Sequence, residues 1–103
     1  MLTAINPYTE EKVREIESLS LEEMNARIQA AEQAFPEWSR RSFSERAAVL
    51  HAVAKQMYDD TDRFALLMTE EMGKPLIEAR GEVRKAAWCA THYAENAEQY
   101  LQP

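Results

Sequence analysis

The sequence predicts a mostly α fold: four helices in a bundle-like arrangement, preceded by a short extended or hairpin lead. Two Ser-x-x-Glu capping boxes, Ser20–Glu23 and Ser42–Glu45, mark helix starts. Apolar residues recur by threes and fours over most of the chain after residue 19, which is the helical period. Gly73 and Pro75 stand where one helix stops and the next begins.

The lead spans residues 1–19. Asn6-Pro7-Tyr8-Thr9 favours a turn between Leu2–Ile5 and Val13–Ile16, so the two stretches pair as a hairpin. Val13, Ile16 and Leu19 lack the strict alternation of a half-buried strand. Residues 20–103 are read as the helical part of one unit. The first helix begins at the Ser20 box, with Leu19 and Met24 as its hydrophobic staple, and carries Leu21, Met24, Ile28, Ala31 and Phe35 on one face. Pro36 is expected to end it at about Phe35.

The Ser42 box opens the second helix, whose buried face is read as Leu50, Val53, Ala54 and Met57. Asp59-Asp60-Thr61-Asp62 supplies carboxylates to stop this helix and cap its successor. The third helix holds Phe64, Leu67, Met68 and Met72 and stops at Gly73, while Pro75 fits the first position of the fourth. In that last and longest helix, Leu76, Ala79, Val83, Ala86, Ala90, Tyr93, Ala97 and Tyr100 form a near-heptad seam. Its many alanines predict close packing against a neighbour.

Composition excludes several functions. The 103 residues carry 18 acidic and 12 basic side chains, a net charge of −6, which repels a phosphate backbone and argues against nucleic-acid binding. No apolar run approaches the ~20 residues of a membrane-spanning helix. The amino terminus lacks a secretory signal pattern, and a single cysteine forbids an intrachain disulfide, so a reducing, cytoplasmic setting is expected. Two glycines, Gly73 and Gly81, are too few for a Gly-rich loop around a pyrophosphate. No cofactor-binding residue is assigned.

The chemistry-bearing side chains read as structural. Cys89 lies mid-helix, away from any dipole end that would lower its pKa, and is read as a small buried hydrophobe. His92 stands three residues on, but zinc needs three or four ligands and His51 lies on another helix, so no metal site is assigned. Glu70, Glu71, Glu78 and Glu82 form a solvated face in which Glu82 is placed to meet Lys85. Trp38 and Trp88 read as core anchors. Lys74 is a helix-junction residue without the rest of a P-loop motif. No catalytic residue is assigned.

Four segments in order carry a resemblance. They are Ile5-Asn6-Pro7-Tyr8-Thr9; Ala30-Ala31 through Ala34-Phe35 to Trp38; Arg46 with Leu50; and Glu71-Met72-Gly73-Lys74-Pro75 followed by Ala79-Arg80-Gly81-Glu82-Val83. Together they resemble the amino-terminal region of the aldehyde dehydrogenase superfamily from about Ile5 onward. Glu82-Val83, Lys85, Cys89 and Tyr93-Ala94-Glu95 are most similar to bacterial succinate-semialdehyde dehydrogenases. Glu10 departs from the pattern, since many members have glycine after the threonine, and a different hairpin turn is expected here.

The resemblance implies that the chain is the amino-terminal part of the cofactor-binding domain of a larger α/β parent. That parent oxidises an aldehyde to a carboxylic acid with NAD or NADP through a catalytic cysteine. The nucleophile, general base and cofactor-binding segments of the family match nothing in this sequence, and Cys89 does not match the nucleophile motif. The isolated chain is therefore expected to be inactive. The implied partners are the remainder of the parent enzyme and, through exposed apolar helix faces, further copies of the chain. The resemblance also places one side of the last helix at the substrate entrance, with Gly81, Lys85 and Trp88 as the candidate lining residues. The alternative reading is a free-standing helical self-association module without enzymatic activity.

Overall fold

The computed structural model describes all residues, 1–103. Strands β1 (Leu2–Ile5) and β2 (Lys12–Ile16) lead into helices α1 (Leu21–Arg40), α2 (Phe43–Asp59), α3 (Thr61–Met72) and α4 (Leu76–Tyr100). No helix is long and apolar enough to cross a membrane.

The two strands pair antiparallel, Leu2 opposite Ile16 and Ala4 opposite Arg14, with an irregularity between Ala4 and Ile5. Asn6 organises the connection: its Oδ1 accepts from the backbone N–H groups of Tyr8 and Thr9, and its carbonyl accepts from Glu10 N–H. This is the side-chain mimicry of a turn that makes asparagine a turn residue. Glu10 sits at φ 63°, the left-handed region that favours glycine. At the position where the sequence departs from glycine, the glutamate thus adopts a glycine-favoured conformation.

Both capping boxes form. Ser20 Oγ accepts from Glu23 N–H while the Glu23 carboxylate accepts from Ser20 N–H, and Ser42 and Glu45 repeat the arrangement. These backbone hydrogen bonds, with the serine hydroxyls, hold both glutamate pKa values below the ordinary value.

Pro36 does not end α1, which continues to Arg40. Proline removes a single intrahelical donor, here the one Glu32 C=O would accept from. The helix is exposed along its length, so water can solvate the freed carbonyl, and the last turn is closed by Ser39 Oγ donating to Pro36 O and Arg41 N–H donating to Trp38 O. Pro75 precedes the first helical residue of α4 rather than being that residue.

The α2–α3 junction falls where the aspartates predicted it, by a different mechanism. Asp60 makes no side-chain cap; its Oδ2 accepts from Arg63 Nη2 at 2.8 Å and Gln56 Nε2 at 2.9 Å. The Arg63 hydrogen bond, followed by that from Gln56, depresses its pKa. The buried Thr61 hydroxyl donates back to Tyr58 O at 2.7 Å. Gly73 closes α3 at φ 74°, as a left-handed C-terminal glycine should.

α2 and α3 both pack on α4, and small side chains make the approach possible. Ala54 of α2, Ala65 of α3 and Ala79, Val83 and Ala87 of α4 are buried, with Met57, Phe64, Met68 and Leu76 around the Ala65–Ala79–Val83 centre. The expected seam is corrected: Ala87 is buried and Ala86 exposed, because spacing of four from Ala79 to Val83 to Ala87 follows the inward face, and Tyr93 and Tyr100 further along are about half exposed. Val53 is likewise exposed. Asp62 and Arg80 join α3 to α4 at 2.7 Å, and Arg14 of β2 reaches Glu71 of α3 at 3.5 Å.

α1 has no buried residue. Its stripe faces outward, with Leu21 and Phe35 about two-thirds exposed, and only its Trp38 end helps to line a cleft with α2 and α4. The Cα radius of gyration is 17.8 Å, well above the ~13 Å of a compact 100-residue domain. A large apolar area is thus left uncovered.

A candidate substrate-entrance face on α4

α4 presents two opposite faces. At 100° per residue, Ala79, Val83 and Ala87 cluster inward, which turns Gly81, Lys85 and Trp88 to the far side. All three are exposed. The structure therefore puts the three candidates on one surface, in the order the spacing predicts.

Gly81 leaves a gap: a Cβ placed there would meet nothing within 4 Å. One turn on, Lys85 adjoins Met68, Glu82, Ala86 and Cys89 across a shallow surface depression. The expected Glu82–Lys85 pair does not form, because Lys74 reaches across the α3–α4 junction and takes the Glu82 carboxylate. That hydrogen bond, aided by the Glu82 and Glu78 charges, raises the Lys74 pKa. Lys85 makes no ion pair, so its ammonium is free to meet an anion from solvent.

Trp88 is 60% exposed and is not a core anchor; Trp38, at 42%, is not one either. Both lie off the narrow alanine seam, where an indole would hold the helices apart. The Trp88 and His92 ring centroids are 5.7 Å apart. His92 Nε2 is hydrogen-bonded to Tyr100 Oη at 2.8 Å, two turns further along. This aromatic row, missed by sequence reasoning, was visible as the spacing of 88, 92 and 100.

Cys89 is also exposed, against the expectation of burial, because it projects beside Ala86 rather than into the Ala79–Val83–Ala87 seam. It makes no hydrogen bond to a base. His51 is exposed on α2 and does not join His92. Of the acidic face, Glu71, Glu78 and Glu82 are exposed and Glu70 is half-buried, with Glu71 engaged by Arg14 and Glu82 by Lys74.

The glycines do not fit a dinucleotide cradle. Such a cradle needs a glycine-rich turn ahead of a helix N-terminus. Gly73 closes α3, packed against Pro7, and Gly81 lies inside α4. What the α4 face offers is a cation beside an aromatic wall and a gap, which can attract and orient an anionic molecule.

Comparison with known proteins agrees with the residue-level resemblance. The model of the aldehyde dehydrogenase family matches residues 1–103. The NADP(+) succinate-semialdehyde dehydrogenase of Deinococcus radiodurans is 43% identical over 99 residues, covering 96% of this chain and 21% of that protein. A Mycobacterium tuberculosis enzyme of the same name is 37% identical, covering 97% and 22%. Among solved structures, succinic semialdehyde dehydrogenase from Streptococcus pyogenes, in complex with NADP+, superposes with a TM-score of 0.91 at 33% identity, covering 97% of this chain and 22% of that one. The chain thus spans about a fifth of the length of the relatives it matches. The match along its whole length, with the fold in agreement, makes this chain a member of the aldehyde dehydrogenase family.

Proposed function

We propose that the chain forms the amino-terminal part of the cofactor-binding domain of an aldehyde dehydrogenase that oxidises succinate semialdehyde with NADP, and that it is inactive alone. The relatives named for that substrate and cofactor support the choice. The observation that carries it to residues of this chain is the unpaired Lys85 ammonium on the exposed face between Gly81 and Trp88. Succinate semialdehyde carries a carboxylate at the end opposite its aldehyde. Lys85 draws that carboxylate toward the entrance, Trp88 walls the path, and Gly81 keeps it open. Chemistry belongs to the remaining four-fifths of the enzyme.

A chimera tests the proposal: this chain replaces the corresponding segment of the Streptococcus pyogenes relative, and NADP reduction by succinate semialdehyde is recorded. Activity is expected, with KM raised several-fold and kcat little changed in the Lys85→Ala form. A folded chimera that leaves NADP unreduced would sink the assignment. Unchanged KM in Lys85→Ala would remove Lys85 from the entrance.

A further inference from the structure

A second feature lies away from the Lys85 face, where the start of α2 meets the end of α4. Phe43, Leu50, Tyr93, Ala94 and Leu101, with Trp38 of α1 at the edge, line a cleft of about 230 Å³ that is open to solvent on one side. Arg46 is the one charged residue in its wall.

Of the twelve lysines and arginines, seven are in ion pairs: Lys12, Arg14, Arg41, Lys55, Arg63, Lys74 and Arg80. The other five are Arg27, Arg40, Arg46, Arg84 and Lys85, and Arg46 alone among them is partly buried. Its Nε is buried without a hydrogen-bond acceptor. Its guanidinium carbon lies 4.7 Å from the centroid of the Phe43 ring, which fixes the group without satisfying the Nε donor. Glu45, its neighbour in sequence, is committed to the Ser42 cap. A polar acceptor in an otherwise apolar cleft is what the site lacks.

We propose that this cleft is a binding site for a small monocarboxylate with an apolar body, its carboxylate held by the Arg46 guanidinium and its body against Leu50, Ala94 and Trp38. A guanidinium fork matches the two oxygens of a carboxylate better than any neutral acceptor. The volume is below the roughly 300–1,000 Å³ of drug-sized ligand pockets, so a body of about one ring suffices to fill it. The site is separate from the proposed entrance and does not rest on the substrate assignment.

The test is a methyl NMR titration of the chimera described above with benzoate and with benzyl alcohol, following Ala47, Ala94 and Ala97. Benzoate is expected to shift these methyls saturably, and benzyl alcohol at the same concentrations to leave them unsaturated. Arg46→Met should weaken benzoate by about tenfold or more, the scale of a lost charged hydrogen bond. Ala94→Leu, which keeps the charge and fills the cleft, should abolish the shifts; it also decides the matter if Arg46→Met loses its helical circular dichroism. Absence of saturable benzoate shifts, equal binding of benzyl alcohol, undiminished binding in folded Arg46→Met, or persistence of the shifts in Ala94→Leu would each overturn the proposal.

Discussion

The Pro7 ring occupies the space that a side chain on Gly73 would need: a Cβ at Gly73 would lie 2.8 Å from Pro7 Cγ. This contact pins the hairpin loop to the junction of α3 and α4. Gly73 is therefore required twice, for its φ of 74° and for its missing side chain.

Gly73→Ala should destabilise the protein by about 2 kcal/mol, from left-handed strain and steric displacement of a ring that cannot bend away. Pairing it with Pro7→Ala should recover part of the loss, and urea unfolding of the four-variant cycle measures the coupling. Additive effects would show that the hairpin yields freely.

At Glu10 the sign reverses. Its φ of 63° is strained for glutamate, so Glu10→Gly should raise stability by roughly 0.5–1 kcal/mol, the relief of strain exceeding the added freedom of the unfolded chain. A lower thermal midpoint in Glu10→Gly would contradict this.

The capping boxes set an acid limit. Glu23 and Glu45 have folded pKa values below the ordinary 4.5, so the unfolded chain binds protons more readily. Their contribution is present above that value and fades as pH falls through the lowered folded values. Asp60 adds a shift of the same sign. The thermal midpoint should hold on descending to about pH 5 and fall below it, less steeply in Glu23→Gln/Glu45→Gln. Identical pH profiles for the two proteins would rule out the caps as the source.

The outward apolar stripe of α1 should drive association of the isolated chain. Light scattering is expected to give a dimer or larger species, and a hydrophobic dye should bind; Ile28→Glu/Phe35→Glu should return a monomer. A dye-silent wild-type monomer would remove this surface from the account.

Helix positions were legible because their signals are local. Ser20–Glu23, Ser42–Glu45 and Gly73 each satisfy or end a helix within four residues, and each did so where the sequence said. Pro36 was misread because its cost depends on what surrounds the freed carbonyl, which sequence does not show. Burial proved harder. Ala86 and Ala87 are the same residue to a pattern, and only the path of α2 beside α4 selects Ala87. Trp38, Trp88 and Cys89 were read inward from residue type, yet Trp88 and Cys89 lie off the Ala79–Val83–Ala87 face of α4 and Trp38 stands on the unpacked α1. That Gly81, Lys85 and Trp88 share one face of α4 was readable from their spacing, whereas the Arg46 cleft needed three helices brought together.

The detachment of α1 also has a kinetic signature. A 20-residue helix held chiefly by its own hydrogen bonds and one capping box is marginal in water. Its amides should exchange with deuterium far faster than those around Ala65 and Val83, and trypsin should cut at Arg27 while α2–α4 remain folded. The chain would then melt as a slow-exchanging trio of helices with a flickering fourth, whose lifetime lengthens only when another surface takes up its apolar side.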